Sequence, residues 1–252
     1  MNIQQTIEYF HLVLLLFMSR KINRNHYILK GGCNLRFFFR SPRHSEDIAF
    51  DLKDTPVQIL QEQVNKILNS SIFRDTLFLK GIEIKHITTH KQTETTQRWK
   101  LTLMAGQNQI PIPTKIEFSR RQKGGDYTFE TVDTLLLKKY DLPPVLVNHY
   151  TPETTFIQKI EATSFRKIPQ ARDIFDLYLL ITTGIDVPSV LKKISKDNII
   201  SAKSNILSVD FNIFKSQVLS YLSPDDREIY NSEEVWDTIR LKVIDTIEGG
   251  GK

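Results

Sequence analysis

The chain has 252 residues, 40% hydrophobic and 25% charged, with only 10 Gly and 10 Pro; that is long enough for one large domain or two modest ones and excludes a collagen-like, low-complexity or disordered chain. Its single cysteine, Cys33, excludes an intrachain disulfide and points to a cytoplasmic setting. Lys and Arg total 34 against 29 Asp and Glu, a net charge of +5, which leaves room for a polyanionic partner without requiring one.

The first element is an apolar run of seven residues, Leu12 to Met18, far short of the roughly 20 that a membrane helix needs. Glu8 precedes it and Arg20, Lys21 and Arg24 follow, the reverse of a secretory signal, so it reads as a buried helix with its basic end at the C-terminus. His26 to Lys30 then reads as a strand, Gly31-Gly32 as a tight turn, and the stretch through Asn34, Leu35 and Arg36 to three Phe residues as a helix. Ser45 to Leu52 alternates with period two. Glu46, Ile48, Phe50 and Leu52 share a face suited to the core, and Ser45, Asp47, Ala49 and Asp51 share the outer face. Thr55-Pro56-Val57-Gln58 has the spacing of a capping box with proline at the first helical position, and Val57, Leu60, Val64, Ile67 and Leu68 predict a helix to about Asn69.

Three strand-like runs follow, near Ile82 to Thr88, Trp99 to Met104 and Ile110 to Ser119, joined by connections short enough for antiparallel pairing. In the last run Lys115 and Glu117 share a face. Arg120 to Asp126, with Gly124-Gly125, reads as a mobile loop, and Leu142-Pro143-Pro144 breaks the chain. The expected division is a domain over residues 1–145 and a helical domain over 146–252. In the second, Thr151-Pro152 caps a helix to about Arg166, and further helices are expected over Ala171 to Thr182, Asn212 to Leu222 and Glu233 to Ile247. Gly249-Gly250-Gly251-Lys252 reads as a disordered end, and no internal repeat is present.

A glycine pair that ends a strand and opens a helix presents backbone N–H groups at the positive end of the helix dipole, an arrangement suited to phosphate. Carboxylates on neighbouring strands beside such a cradle are what Mg²⁺-dependent phosphoryl transfer requires. Leu29-Lys30-Gly31-Gly32-Cys33-Asn34-Leu35-Arg36, with Ser41-Pro42-Arg43-His44-Ser45-Glu46-Asp47-Ile48, resembles the opening motif of the AbiEii-type nucleotidyltransferase-like toxins, members of the DNA polymerase beta-like nucleotidyltransferase superfamily. Lys115-Ile116-Glu117 resembles the later acidic strand of that family. Gln158-Lys159-Ile160-Glu161-Ala162 and Ala171-Arg172-Asp173-Ile174-Phe175-Asp176-Leu177 resemble its C-terminal lysine and Arg-Asp-x-x-Asp motifs, so the likeness spans roughly residues 5 to 183.

The resemblance implies an α+β fold, with a mixed or antiparallel sheet and flanking helices followed by a helical domain, and a site drawn from both. It implies that Gly31 and Gly32 hold a triphosphate, that Asp47 binds Mg²⁺, and that Ser45 touches a phosphate or is modified. Glu117 would be the further acid and metal ligand that activates the acceptor hydroxyl. Lys159 would reach the nucleotide phosphates, with Asp173 or Asp176 orienting it; Arg36, Lys115 and Arg172 complete the nucleotide-binding set. The implied reaction is transfer of a nucleotide from an NTP to an acceptor, tRNA for some members, in a toxin-antitoxin or abortive-infection setting with a cognate antitoxin as partner and no membrane.

The sequence departs from the family at one position. The family has Asp-x-Asp where this chain has Asp47-Ile48-Ala49, so a carboxylate that bridges two metals is missing. Asp51 faces the same way but lies about 6.6 Å further along the strand, within reach only if the strand is bulged. A catalytically impaired nucleotide-binding homologue, or transfer to a small-molecule hydroxyl, are the alternatives. Plainer readings also stand beside several residues. Lys159 could be solvated surface, Arg172 and Asp176 an exposed helical ion pair, Lys115 and Glu117 a solvated stripe, and Phe37 to Phe39 core. Cys33 at a helix start could have a lowered thiol pKa. Arg36, Arg40, Arg43 and His44 form a basic set suited to triphosphate or RNA backbone. His86 and His90 have metal-ligand spacing for a helix but fall in a predicted strand.

Overall fold

The computed structural model describes residues 1–106, 110–121 and 124–249. Two compact units emerge, one of Met1–Phe38 with His44–Tyr150, the other of Phe39–Arg43 with Thr151–Lys252. The first begins with α1 (Ile3–Lys21), β1 (Tyr27–Lys30), α2 (Gly31–Phe38), β2 (Asp47–Leu52), α3 (Val57–Leu68) and α4 (Ser71–Phe78). It continues with β3 (Ile82–Gln92), β4 (Thr96–Ala105), β5 (Ile110–Ser119), β6 (Tyr127–Thr131), α5 (Thr134–Lys139) and β7 (Leu146–Tyr150). The seven strands form one mixed sheet in the order β3-β4-β5-β2-β1-β7-β6. β2 runs parallel to β5 and β7 parallel to β1, while the remaining neighbours are antiparallel.

The period-two patterns decide which face is core. Ile48, Phe50 and Leu52 of β2, Ile116 and Phe118 of β5, and Trp99, Leu101 and Leu103 of β4 are all buried. Phe50 and Phe118 stack with ring centroids 4.8 Å apart, and Trp99 donates its indole N–H to Asn65 Oδ1 of α3 at 2.8 Å. α1 is buried on every side, Leu12, Val13, Leu14 and Leu15 having no exposed surface, as expected of a helix without a polar face. Each such side chain contributes roughly 1.5–3 kcal/mol of transfer free energy. The helix is longer at its start than the apolar run suggests, because Asn2 and Gln5 form a capping box.

Several sequence expectations are corrected here. Ser45 and Glu46 precede β2 rather than belonging to it, and Glu46 is exposed instead of facing the core. The Thr55 capping box does not form: Pro56 occupies the N-cap and the Thr55 hydroxyl donates to Lys53 O at 2.9 Å. The sheet-bearing unit extends through β7 to Tyr150 instead of ending at 145, since β7 pairs with both β1 and β6. Residues 122 and 123 of the expected loop and 250–252 of the expected loose end lie outside the described residues.

The second unit is helical: α6 (Pro152–Phe165), α7 (Ala171–Thr182), α8 (Val187–Leu191), α9 (Lys196–Leu207), α10 (Phe211–Gln217), α11 (Pro224–Tyr230) and α12 (Glu233–Gly249). Thr151 caps α6 by accepting from Thr154 N, with Pro152 in the first turn. Its core stacks Trp236 on Phe214 at 4.4 Å and sets Tyr230 edge-on to Phe175. The expected helix over 212–222 is broken, with a short 3₁₀ turn, Leu219–Tyr221, after α10. Among the described residues, no helix is long and apolar enough to cross a membrane.

Candidate active site

β1 delivers the chain into α2 through Gly31, whose φ of +70° is a left-handed conformation that side chains disfavour. A Cβ on Gly31 would sit 4.0 Å from the Ala49 Cβ, so the glycine turn lies against the middle of β2. Asn34 of α2 then donates to Tyr150 O at 3.0 Å, and its Oδ1 lies 2.9 Å from His149 Nδ1. His149 stacks on Phe38 at 3.5 Å, so the helix opened by the glycines is tied to β7.

Sheet register sets the neighbours of this turn. Asp47 lies opposite Lys115 of β5, Ala49 lies opposite Glu117 on one side and Lys30 of β1 on the other. Lys115 Nζ is 2.6 Å from Asp47 Oδ2. Arg98 of β4 places both Nε and Nη2 on Glu117 Oε2, at 2.8 and 2.6 Å. Among the described residues, Asp47 Oδ1 and Glu117 Oε1 have no partner. Asp51 differs: Lys30 Nζ meets its Oδ1 at 2.5 Å and the Tyr150 hydroxyl donates to its Oδ2 at 2.8 Å. Burial and the neighbouring Asp51 carboxylate push the Tyr150 hydroxyl well above the ordinary phenol range, so it stays a donor.

Asp51 is therefore corrected as an alternative metal ligand. It is buried with both oxygens engaged, and β2 carries no bulge that would bring it forward. The two-ion clamp implied by the resemblance does not fit, because Ala49 offers no donor and no three His, Cys, Asp or Glu side chains converge among the described residues. Among the described residues, the oxygens left open to a cation here are Asp47 Oδ1 and Glu117 Oε1. His86 and His90 stand on β3 and belong to no such cluster.

Two other expectations change. The Ser45 hydroxyl donates to Asp47 O at 2.8 Å, making it part of the turn into β2 rather than a group open to phosphate. Arg36 turns into the core, where its Nε meets Glu8 Oε1 at 2.5 Å, and His44 and the Tyr140 hydroxyl reach the same carboxylate. Burial raises the Glu8 pKa, but hydrogen bonds from His44 and Arg36 bring it down to about 2. Cys33 is buried, with Sγ 3.4 Å from Asp47 O and 3.5 Å from His11 Nδ1. His11 Nε2 lies 2.9 Å from Thr114 Oγ1, which donates to Glu46 O at 2.7 Å. These groups clamp the backbone that carries Asp47, a support the sequence does not reveal because its members lie on α1, α2 and β5.

In the second unit, Lys159 of α6 meets Asp173 Oδ1 at 2.9 Å and Asp176 Oδ2 at 2.5 Å, both on α7. Arg43 Nη2 lies 3.1 Å from each Asp176 oxygen, and Arg166 Nε is 2.8 Å from Asp173 Oδ2. Burial opposes the Lys159 charge, but Asp173 and Asp176 outweigh it and raise its pKa; Lys159 and Arg166 in turn overcome burial and lower that of Asp173. The surface reading of Lys159 and the Arg172–Asp176 pair are both corrected: Lys159 is 12% exposed and Asp176 has no exposed surface, its partners being Arg43 and Lys159. With Asp176 sealed in, it positions Lys159 and Arg43. Arg172 is half-buried on α7 beside them.

The family model described as nucleotidyl transferase AbiEii toxin, type IV TA system, matches residues 14–223. Among solved structures, the chain is similar to JHP933 from Helicobacter pylori, with 17% identity, a TM-score of 0.59, and coverage of 98% of this chain and 94% of that one. It is likewise similar to MenT4, a nucleotidyltransferase toxin from Mycobacterium tuberculosis, with 17% identity, a TM-score of 0.61, and coverage of 96% and 85%. No curated protein sequence matches. At that identity the two structures show the shared fold, whereas the family model spans most of the chain, glycine turn and Arg-Asp-x-x-Asp motif included: the chain belongs to the AbiEii nucleotidyltransferase toxin family of type IV toxin-antitoxin systems.

Proposed function

We propose that the protein transfers a nucleotide from an NTP to an RNA acceptor, a tRNA, as the toxin of a pair whose antitoxin is its cognate partner. The observation that carries this reading is the pair of open carboxylate oxygens, Asp47 Oδ1 and Glu117 Oε1, on one sheet face beside the left-handed Gly31 turn. The N-terminus of α2 at Gly31 and Gly32 receives the triphosphate through backbone N–H groups. Lys115, already a partner of Asp47, adds charge neutralisation on the same row. Arg98 pins Glu117 by Oε2, leaving Oε1 to accept the proton of the acceptor hydroxyl. The acceptor hydroxyl oxygen, its proton passed to Glu117, bonds to the α-phosphorus as the bond to pyrophosphate breaks. Bound Mg²⁺ would be held by Asp47, and would neutralise charge developing on the phosphates. Within the second unit, Lys159 is kept protonated by its two carboxylates, with Asp173 and Asp176 positioning it.

The test is incubation of the purified protein with each labelled NTP and total tRNA. Incorporation by the wild type that is lost in Asp47→Ala, together with loss of growth inhibition in the same variant, is the expected result. No incorporation with any NTP, and toxicity unchanged in Asp47→Ala, would overturn it. Ala49 favours a second reading, nucleotide binding without turnover. It predicts no transfer by the wild type and a gain in Ala49→Asp.

A further inference from the structure

The face that carries the acids continues beyond them. Residues paired across strands share a face, so one row reads Lys91, Arg98, Glu117, Ala49 and Lys30 across β3, β4, β5, β2 and β1. The next reads Thr88, Lys100, Lys115 and Asp47, and a third places His86 beside Thr102. The cations change character along these rows. Lys30, Arg98 and Lys115, nearest the acids, each hold a carboxylate. Among the described residues, Lys91, Lys100 and the imidazole of His86 hold none, and Lys100 and His86 are exposed. A groove of about 420 Å³ runs from Asp47 and Lys115 past Lys100 to Thr88 and His86, and Lys91 stands beside it on the Arg98–Glu117 row rather than in its lining.

We infer that this groove over β3–β5 seats the sugar-phosphate backbone of the RNA acceptor and leads its reacting hydroxyl to Asp47 and Glu117. The inference rests on the RNA acceptor proposed above. Unpaired cations on adjacent strands suit a chain of phosphates, which releases counterions as each is neutralised. Threonine hydroxyls between them offer donors and acceptors to ribose hydroxyls. The groove opens on the β5 side of Asp47, over Lys115 and Lys100, whereas the glycine turn lies on the Ala49–Lys30 side. Acceptor and triphosphate therefore reach the acids from different strands.

The test compares tRNA binding by the full-length wild type and a Lys91→Ala/Lys100→Ala double variant across a salt series, alongside KM for the NTP. Among the described residues neither lysine has an ion-pair partner to lose, and a Lys242→Ala variant on α12 serves as the control. Expected are a Kd raised on the order of 10-fold at about 0.1 M salt, a salt slope smaller by about one per lysine, and an unchanged KM for NTP. Lys100→Glu alone should weaken tRNA binding further than Lys100→Ala. Transfer to RNA by the wild type with Kd and slope unchanged in the double variant would overturn the groove and leave the proposed function standing. A wild type that neither retains nor modifies tRNA would overturn the acceptor assignment itself.

Discussion

On the sheet face of the first unit Asp47 and Lys115 pair with 40% and 29% of their side chains exposed, while in the second unit Asp176 and Lys159 pair with 0% and 12% exposed. The distances are alike, 2.6 and 2.5 Å, but the solvation is opposite. Water can replace either partner of the exposed pair, so Lys115 can exchange Asp47 for a phosphate at little cost. In the buried cluster, removing one member strands the others in a medium that cannot solvate them. The first arrangement suits groups that must change partners during a reaction. The second suits a lysine whose charge and position must not change.

The largest effect expected of this contrast is on stability. Asp176→Asn leaves Arg43 and Lys159 without their buried counter-charge and should cost about 3–5 kcal/mol in urea denaturation; a cost under about 1 kcal/mol would break the comparison. Acid should also destabilise the fold. Burial holds the His11 pKa down at about 3 and that of His149 at about 4, against 6.5 unfolded. Below pH 6.5 the unfolded chain therefore takes up protons that the native chain refuses. Stability present at neutral pH is lost as pH falls through that window, by on the order of a few kcal/mol, and protonation of Glu8 adds to the loss between its ordinary 4.5 and about 2. Urea midpoints at pH 7 and 4.5 measure this, and His11→Gln should shrink the difference. A midpoint that rises on acidification would contradict the assignment.

Two smaller effects separate the exposed pair from the buried clamp beneath it. Thr114→Val removes the hydroxyl between His11 and Glu46 O, and leaving those groups unsatisfied should cost about 1–3 kcal/mol with a fall in transfer rate. Lys115→Gln should change stability by no more than about 1 kcal/mol yet weaken NTP use, seen as a raised KM. If Lys115→Gln proves the more destabilising of the two, the contrast between exposed and buried charge fails.

Much of the site's framework was legible in the sequence, because a strand with one buried face must alternate. That placed Asp47, Ala49 and Asp51 on one face of β2, and Lys115 and Glu117 on one face of β5. What alternation cannot supply is register. Whether Asp51 is open or consumed depends on Lys30 and Tyr150, brought alongside by β1 and β7. β7 itself was hidden, since five residues after a Pro-Pro pair are too few to show a period. α4 was hidden behind α3, with only Asn69 and Ser70 between them. The Arg43–Asp176 pair joins residues 133 positions apart and has no local signal.

The central claim is that Asp47 and Glu117 form a working nucleotidyl-transfer site despite Ala49. Mass spectrometry of total tRNA after incubation with each NTP tests it most directly. The account predicts a gain of one or more nucleoside monophosphates with the wild type, absent with Asp47→Asn or Glu117→Gln. Unchanged RNA mass with every NTP, or the same gain with both variants, would contradict it.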